Sequence, residues 1–313
     1  MTTDSARRKV LYKVARAYYE DELSQREIGQ RLGLSRIKIS RLLQQARDEK
    51  IIQITITPPA DSNADLERAL EKRYGLLEAV IVTPDRYDQV GIVPALGQAA
   101  ADNLVRCLEG NEIVGLSWGT TIHAVIEALP VMSWPDLTVV QLLGGLGRPE
   151  AEVHGTDLAR RMAQAFNAKL RLLPAPGVVS SKLVCDALVQ DPQIGGTLAL
   201  GEQADVALLG IGIPLLGSVV AQSDILSREE IIQLMNDGAV GDIALRFFDR
   251  TGQIMDHEVN ERTIGLSLQQ LAKIPRRIGV AGGEGKFDVV RGALLGKLIN
   301  VLVTDDRTAG QLL

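Results

Sequence analysis

A short segment of small and hydroxyl-bearing residues, Ser117-Trp118-Gly119-Thr120-Thr121, follows a predicted strand and opens a predicted helix. The first N–H groups of a helix have no acceptor within it, and the helix dipole is positive there, so such a junction binds anions such as phosphate. The hydroxyls of Thr120 and Thr121 would add donors, and Gly119 leaves room for close approach. For this segment alone, an ordinary helix cap is the alternative interpretation.

Four further glycine-rich segments stand at the ends of predicted strands, and three of them carry a charged side chain suited to a phosphate or a hydroxyl group. Because ligands of open α/β sheets bind at the carboxyl ends of the strands, we expect the five segments to converge. Taken singly, each of the four could be a tight turn. The predicted ligand-binding residues are Ser117, Gly119, Thr120, Thr121, Gly144, Gly145, Arg148, Gly212, Asp242 and Lys286.

Metal-binding and disulfide patterns are missing from the sequence. The three histidines, His123, His154 and His257, are isolated from one another. The two cysteines, Cys107 and Cys185, lack the spacing of a metal site or a disulfide framework. We therefore expect no metal site and no cofactor.

A second candidate site lies near the N-terminus, where residues 24–47 read SQREIGQRLGLSRIKISRLLQQAR. Ser24 and Glu27 match a capping box for one helix, Gly33 permits a turn, and Ser35 caps a second helix. Basic residues on the outer face of this second helix suit the major groove of DNA. The alternative is a helical hairpin with a solvated basic face. The predicted DNA-binding residues are Ser35, Arg36, Lys38, Ser40 and Arg41.

The segments around this motif predict a small helical domain. The spacing of apolar residues predicts a helix over residues 7–20, a second ending near Leu32 and a third ending near Lys50. Residues 51–57 alternate like the wing or exit strand of a winged-helix domain. We therefore expect a helix-turn-helix domain at residues 1–57, followed by a linker at residues 58–63.

Residues 64–313 alternate predicted strands and helices. This alternation predicts an α/β domain with a doubly wound, mostly parallel sheet. The predicted strands are 78–83, 112–116, 138–142, 168–172, 206–211, 243–248, 277–281 and 301–304. The main predicted helices are 64–74, 90–109, 120–129, 155–166 and 288–297.

Charge is distributed unevenly along the chain. Residues 1–57 hold 12 Lys and Arg against 7 Asp and Glu, whereas the remainder holds 22 against 32. A basic N-terminal segment, residues 1–57, here called the head, followed by an acidic remainder suggests that the head alone binds a polyanionic partner. Chance clustering of the charged residues is the alternative. The uncharged stretch 206–223 is interrupted by glycines and Pro214, and the N-terminus lacks an apolar signal core, so we expect a cytoplasmic protein.

Over nearly its whole length, the sequence resembles the SorC family of bacterial sugar-responsive transcriptional regulators. The resemblance rests on the motif at residues 24–47 and on GLSWGTT, LLGGLG, LGIG, GAVGDIALRFFD and AGGEGK. It implies an effector domain similar to ribose-phosphate isomerases and glucosamine-phosphate deaminases, in a protein that is typically a tetramer. For the site, it implies a phosphate held by Gly119, Thr120 and Thr121 with help from Arg148, and a sugar end lined by Asp242 and Lys286.

One departure separates this sequence from the enzymes that the family resembles. The deaminase-type motif continues from its Gly-Ile-Gly into an Asp-Gly-His segment that supplies acid–base groups. Here Gly212 is followed by Ile213-Pro214-Leu215, in which no side chain can transfer a proton. We therefore expect no catalytic residues.

The resemblance to the family, together with the missing acid–base segment after Gly212, predicts a regulator of a carbohydrate-catabolism operon. Its expected partners are double-stranded operator DNA and a phosphorylated sugar or polyol. One small head offers too few contacts for specific DNA binding, so we expect a dimer or a tetramer. Two alternatives remain: a sugar-phosphate isomerase or deaminase with an accessory DNA-binding head, and an interaction module whose basic head binds an acidic partner.

Overall fold

Two compact units make up the chain, Met1–Asp61 and Ser62–Leu313. The structure is a computed structural model that describes residues 2–55, 57, 62–145, 155–214 and 225–313. Most of the predicted linker, residues 58–61, lies outside the described residues, as does Arg148. In the described part of the chain, no helix is long and apolar enough to cross a membrane.

Three helices form the described part of the N-terminal unit. The predicted capping box is present, because the Ser24 Oγ accepts a hydrogen bond from the Glu27 N–H at 3.3 Å and the Ser24 N–H donates to Glu27 at 2.8 Å. Gly33 makes the turn with a φ of 65°. A buried cluster of four apolar side chains, Val14, Ile28, Ile39 and Leu43, holds the helices together. The helices are α1 (Thr2–Tyr19), α2 (Gln25–Leu32) and α3 (Arg36–Asp48).

The turn between α2 and α3 depends on a second glycine that the sequence analysis did not single out. The Leu34 N–H donates to the Gly29 carbonyl at 2.9 Å. A Cβ atom on Gly29 would lie 2.5 Å from the Leu34 carbonyl oxygen, which is too close for any real Cβ. Gly29 therefore lets the turn fold back against α2, while Gly33 supplies the left-handed backbone conformation.

The strand predicted over residues 51–57 is wrong for the residues that the structure describes. Residues 51–55 and 57 form neither helix nor strand. The N–H groups of Ile51 and Ile52 instead donate to the Ala46 carbonyl at 2.8 and 3.1 Å, and both side chains pack on the helical core. A segment with alternating apolar residues forms a strand only when a neighbouring strand can accept its hydrogen bonds. Here a carbonyl group near the end of α3 accepts them instead.

The second unit contains a mostly parallel sheet, which confirms the predicted fold class. In the described residues its order is β1-β9-β8-β5-β2-β3-β4, all parallel, and β6 and β7 extend it antiparallel from β5. Apart from the segment 243–248, every predicted strand end lies within one residue of the observed end. The strands are β1 (Glu78–Val82), β2 (Ile113–Leu116), β3 (Thr138–Gln141), β4 (Lys169–Arg171), β5 (Val206–Gly212), β6 (Ala239–Ile243), β7 (Arg246–Asp249), β8 (Arg276–Val280) and β9 (Val301–Asp305).

Helices cover the sheet. Val301, Leu302 and Val303 are consecutive in β9 and all fully buried, so both faces of the sheet are packed against other elements. The helix predicted over residues 64–74 is observed with those bounds. The helices are α4 (Ala64–Tyr74), α5 (Gln89–Arg106), α6 (Thr120–Glu127), α7 (Gly155–Ala165), α8 (Lys182–Val189), α9 (Pro192–Gly201), α10 (Arg228–Asn236), α11 (Glu258–Glu261), α12 (Leu268–Leu271), α13 (Phe287–Leu295) and α14 (Asp306–Leu312).

The single strand predicted over residues 243–248 is wrong, because the chain turns there. Ala244 and Leu245 have φ values of 53° and 59° and connect β6 to β7 as a hairpin. No glycine or asparagine marks this turn in the sequence, although such residues dominate two-residue hairpin loops. The buried Asp242 carboxylate stabilises the turn by accepting a hydrogen bond from the Leu245 N–H at 3.1 Å.

The strand order reverses between β2 and β5. From β2 the chain proceeds to β3 and β4 on one side, whereas β5 and β8 lie on the other side. The loops that leave two such neighbouring strands diverge and open a crevice at the carboxyl ends, which is the usual ligand site of this fold.

We predict that Gly29→Ala loosens the helix-turn-helix. The new methyl group would overlap the Leu34 carbonyl, and overpacking of this kind costs about 1–3 kcal/mol. Hydrogen exchange on the full-length chain, followed by mass spectrometry, should show faster exchange in peptides covering residues 24–47. Gln30→Ala is the matched control, since Gln30 is the exposed neighbour in the same helix. Equal exchange in both variants would contradict the role assigned to Gly29.

Candidate functional site

A cavity of about 430 Å³ lies at the carboxyl ends of β2, β5 and β8, where the strand order reverses. The volume falls within the range of small-molecule sites. Of the predicted ligand-binding residues, six line the cavity: Gly119, Thr120, Thr121, Gly212, Asp242 and Lys286. Further lining residues include Gln89, Trp118, Gly210, Ile211, Ile213, Leu245 and Glu284.

The N-terminus of α6 faces this cavity. Gly119 precedes the helix with a φ of 133°, a conformation that favours glycine, and no side chain caps the first turn. The first intrahelical bond runs from the His123 N–H to the Gly119 carbonyl at 2.8 Å, so the amides before His123 have no acceptor within the helix. These amides, the positive end of the helix dipole and the two threonine hydroxyls together can hold an anion.

Ser117 is buried and does not line the cavity. Its Oγ accepts a hydrogen bond from the Gly210 N–H at 3.0 Å, and its N–H donates to the Leu208 carbonyl at 3.0 Å. Ser117 therefore connects the end of β2 to the interior of β5. Its hydroxyl positions the loop that precedes α6.

Gly144 and Gly145 also lie away from the cavity lining. The Gly144 N–H donates to the Ile264 carbonyl and the Gly145 N–H to the Ala175 carbonyl, each at 2.9 Å. A Cβ atom on Gly144 would lie 2.2 Å from the Pro176 carbonyl oxygen. Gly144 therefore permits close packing of protein backbone against protein backbone, and the Gly145 N–H is bonded within the protein, where the sequence analysis expected a ligand.

Asp242 and Lys286 bring opposite charges into the same cavity. Burial raises the pKa of Asp242 to about 6, against the opposing effects of the Leu245 N–H and the Lys286 charge. Burial lowers the pKa of Lys286, and the Asp242 charge partly offsets this shift. The Lys286 Nζ donates to the Ile211 carbonyl at 2.7 Å, which leaves it further donor capacity. Asp242 can accept hydrogen bonds from the hydroxyl groups of a ligand, and Lys286 can donate hydrogen bonds to them.

Asp305 positions the loop that carries Lys286, and the sequence analysis missed it. Its side chain is buried, and Oδ2 accepts hydrogen bonds from the Gly283 N–H at 2.7 Å and the Thr308 hydroxyl at 2.6 Å. Oδ1 accepts from the Thr308 N–H at 2.9 Å, so the same carboxylate caps α14. An aspartate directly after the predicted strand 301–304 was the available signal.

Trp118 forms part of the cavity wall without having been predicted as a ligand contact. Its indole is buried, and the Nε1 donates to the Gly144 carbonyl at 3.1 Å. The bond holds the ring between the loop after β2 and the loop after β3. A buried tryptophan beside a polar helix terminus provides apolar area next to the start of α6.

The predicted DNA-binding residues lie on or just before α3. Arg36, Lys38, Ser40 and Arg41 are exposed, while Ile39 between them is buried in the core of the unit. Ser35 is the N-cap, and its Oγ accepts a hydrogen bond from the Lys38 N–H at 3.3 Å. The first two turns of α3 therefore present several basic and polar side chains to solvent.

Two family models match the sequence. Residues 59–313 match the Sugar-bind model, described as "Putative sugar-binding domain", and residues 8–49 match the model of Sigma-70, region 4.

Curated proteins and solved structures match nearly the whole chain. The deoxyribonucleoside regulator of Bacillus subtilis is 35% identical over 306 residues, covering 98% of this chain and 97% of its own length. The sorbitol operon regulator of Klebsiella pneumoniae is 32% identical, covering 97% and 98%. The crystal structure of that full-length regulator, SorC, superposes with a TM-score of 0.74 over 97% of this chain and 98% of its own. The fold, the two family models and these full-length matches together show that the chain belongs to the SorC family of transcriptional regulators.

Proposed function

We propose that the protein regulates a carbohydrate-catabolism operon by binding operator DNA through the start of α3, and that a phosphorylated sugar or polyol in the cavity gates this binding. The uncapped N-terminus of α6 at the crevice between β2 and β5 carries the effector part of the proposal. We assign the phosphate to Gly119, Thr120 and Thr121, and the hydroxyl groups of the ligand to Asp242 and Lys286. Arg148 is proposed as an additional phosphate partner.

The names of the relatives support a small polyhydroxylated effector. One relative is named for a deoxyribonucleoside and another for the sorbitol operon. Ligands related to either would carry at least two hydroxyl groups, and phosphorylation would add the anion that suits α6. The cavity volume of about 430 Å³ also suits a molecule of this size.

We propose that the cavity binds its ligand without turning it over. Ile213, which follows the Gly210–Gly212 segment, lines the cavity with an aliphatic side chain that cannot transfer a proton. Asp242 and Lys286 are chemically capable of acid–base work, but the proposal assigns them to hydroxyl recognition. The relatives are named as regulators, which favours this interpretation over an isomerase or deaminase.

The net charges of the two parts of the chain agree with the different ligands that we assign to them. We propose that residues 1–57 bind DNA and residues 64–313 bind the effector, joined by a linker at 58–63. The head has a net charge of +5, whereas the remainder has −10. Since one head makes few base contacts, two heads in a dimer or tetramer would supply the specificity that operator recognition needs.

We predict that Thr120→Val weakens binding of the phosphorylated effector about 10- to 100-fold, the factor expected for losing a hydrogen bond to a charged group. A thermal-shift screen of sugar and polyol phosphates first selects the ligand. Calorimetry then compares that phosphate with its dephosphorylated form, which should bind the unmodified protein at least a hundredfold more weakly.

The matched control for Thr120→Val is Thr251→Val, which removes a threonine hydroxyl beyond the end of β7. Binding of DNA by the ligand-free protein should be unchanged in both variants. Equal affinities of wild type for the sugar and its phosphate would refute the phosphate anchor and leave the start of α6 as an ordinary helix terminus.

We predict that replacing Arg36, Lys38 and Arg41 together by Ala strongly weakens DNA binding. Each lost phosphate contact should reduce the slope of log affinity against log salt by about 1. Fluorescence anisotropy on a duplex selected from a random library measures both quantities. Replacing Lys169, Arg171 and Lys182 by Ala removes the same charge from exposed positions outside the head and should leave the slope unchanged. An unchanged slope in the α3 variant would show that these side chains do not contact DNA.

We predict a pH-dependent stability that originates at Asp242. Because its pKa rises to about 6 on folding, the folded state binds this proton more tightly, and the free energy of unfolding should fall as pH increases from about 4 to about 6. Asp242→Asn removes this effect, so the variant should gain up to about 3 kcal/mol relative to wild type between pH 4 and 7. Urea unfolding of the ligand-free protein at several pH values provides the test, and parallel pH profiles would contradict the assigned pKa.

A further inference from the structure

Ile37 is a large apolar side chain on the surface of α3, and 68% of it is exposed. It lies between Arg36 and Lys38 in sequence, within the segment that the proposed function assigns to DNA. Single exposed apolar residues are common on protein surfaces and need no explanation by themselves. What distinguishes Ile37 is its position on the helix.

The periodicity of α3 places Ile37 on the face opposite the core. Ile39, Leu43 and Ala46 are buried and define the inner face of the helix. With 3.6 residues per turn, Ile37 and Arg41 lie on the opposite side, one turn apart. Arg36 and Lys38, which precede and follow Ile37, are rotated from it by about 100° in either direction. The isoleucine therefore occupies the middle of the outward face, and basic side chains surround it.

The two ends of the outward face of α3 differ in charge. Its C-terminal end carries Gln44 and Asp48, and the Gln44 Nε2 donates to the Asp48 carboxylate at 3.0 Å. A carboxylate at this end would repel the phosphates of a duplex, whereas the N-terminal end carries only basic, polar and apolar groups. The part of α3 that fits into a groove is therefore its first two turns, and Ile37 lies in the first of them, on the outward face.

We propose that Ile37 packs against the C5-methyl group of a thymine in the major groove and so selects that base at one position of each half-site. The inference rests on the proposed function and extends it from charge contacts to base identity. Thymine is the only base that presents a methyl group in the major groove, and aliphatic side chains recognise it by apolar contact. A second copy of the head is the less favourable occupant, because a symmetric contact would bring Arg36, Lys38 and Arg41 against their own positive charges.

The test uses the full-length protein and a duplex selected by it from a random library. Each thymine of the selected site is replaced in turn by uracil, which differs only in lacking the methyl group. We expect one thymine, and its symmetry mate, at which uracil lowers the affinity of wild type about fourfold, the factor for one buried methyl group. The same substitutions are then measured with Ile37→Ala and Ile37→Leu.

The variant data distinguish a base contact from a general effect on the head. Ile37→Ala should bind the thymine and uracil duplexes equally, whereas Ile37→Leu should keep part of the discrimination. Val10→Ala is the control, because Val10 is an exposed apolar residue on α1, and it should keep the full uracil sensitivity of wild type.

Two outcomes would overturn the inference while leaving DNA binding intact: no thymine that is sensitive to uracil, or a sensitive thymine whose effect persists in Ile37→Ala. If the library yields no enriched sequence, the proposed DNA-binding function itself fails, and the role of Ile37 fails with it. A change in oligomeric state on Ile37→Ala, with uracil sensitivity unchanged, would assign this side chain to protein–protein contact instead.

Discussion

The parallel pairing of β2 with β5 is the constraint on which the rest of the second unit depends. It joins Val114–Leu116 to Val206–Leu208, and the Ser117 hydroxyl extends the connection to the Gly210 N–H. Because β3 and β4 continue the sheet on the side of β2 whereas β8 and β9 continue it on the side of β5, the strand order reverses here and a crevice opens above the two strands. The start of α6 and the end of β5 line the cavity as a direct consequence, and the β6–β7 hairpin brings Asp242 opposite Gly212.

The cavity combines two buried ionisable side chains with a strained turn. Burial works against the charge of both Asp242 and Lys286, and the hairpin turn holds Ala244 and Leu245 in a backbone conformation that costs roughly 1–3 kcal/mol at each position. The Asp242 carboxylate offsets part of this cost through its bond to the Leu245 N–H. Strain and desolvated charge of this kind are typical of binding sites, where a ligand supplies the missing interactions.

Regular elements and much of the cavity lining could be predicted from the sequence. Apolar runs and helical spacing identified most strands and helices to within a few residues, and the loop after β2 was recognisable from its small and hydroxyl-bearing residues. The features that the sequence did not predict depend on tertiary interactions. A hairpin turn at Ala244 and Leu245 carries no turn residue, and the roles of Gly144 and Gly29 depend on which backbone approaches them. Local pattern can mark Asp305 as a polar residue after a strand, but it does not show that Asp305 contacts the Gly283 N–H in the loop that carries Lys286.

The proposed function requires that occupancy of the cavity and binding of DNA be thermodynamically coupled. The most direct test measures the affinity of the full-length protein for a selected DNA duplex while a tightly binding sugar or polyol phosphate is titrated, and then measures the affinity for that phosphate with and without DNA. We expect the two affinities to change by the same factor, as linkage requires, and we expect that factor to be about 5- to 150-fold. A phosphate that saturates the cavity and leaves the affinity for DNA unchanged would contradict the account.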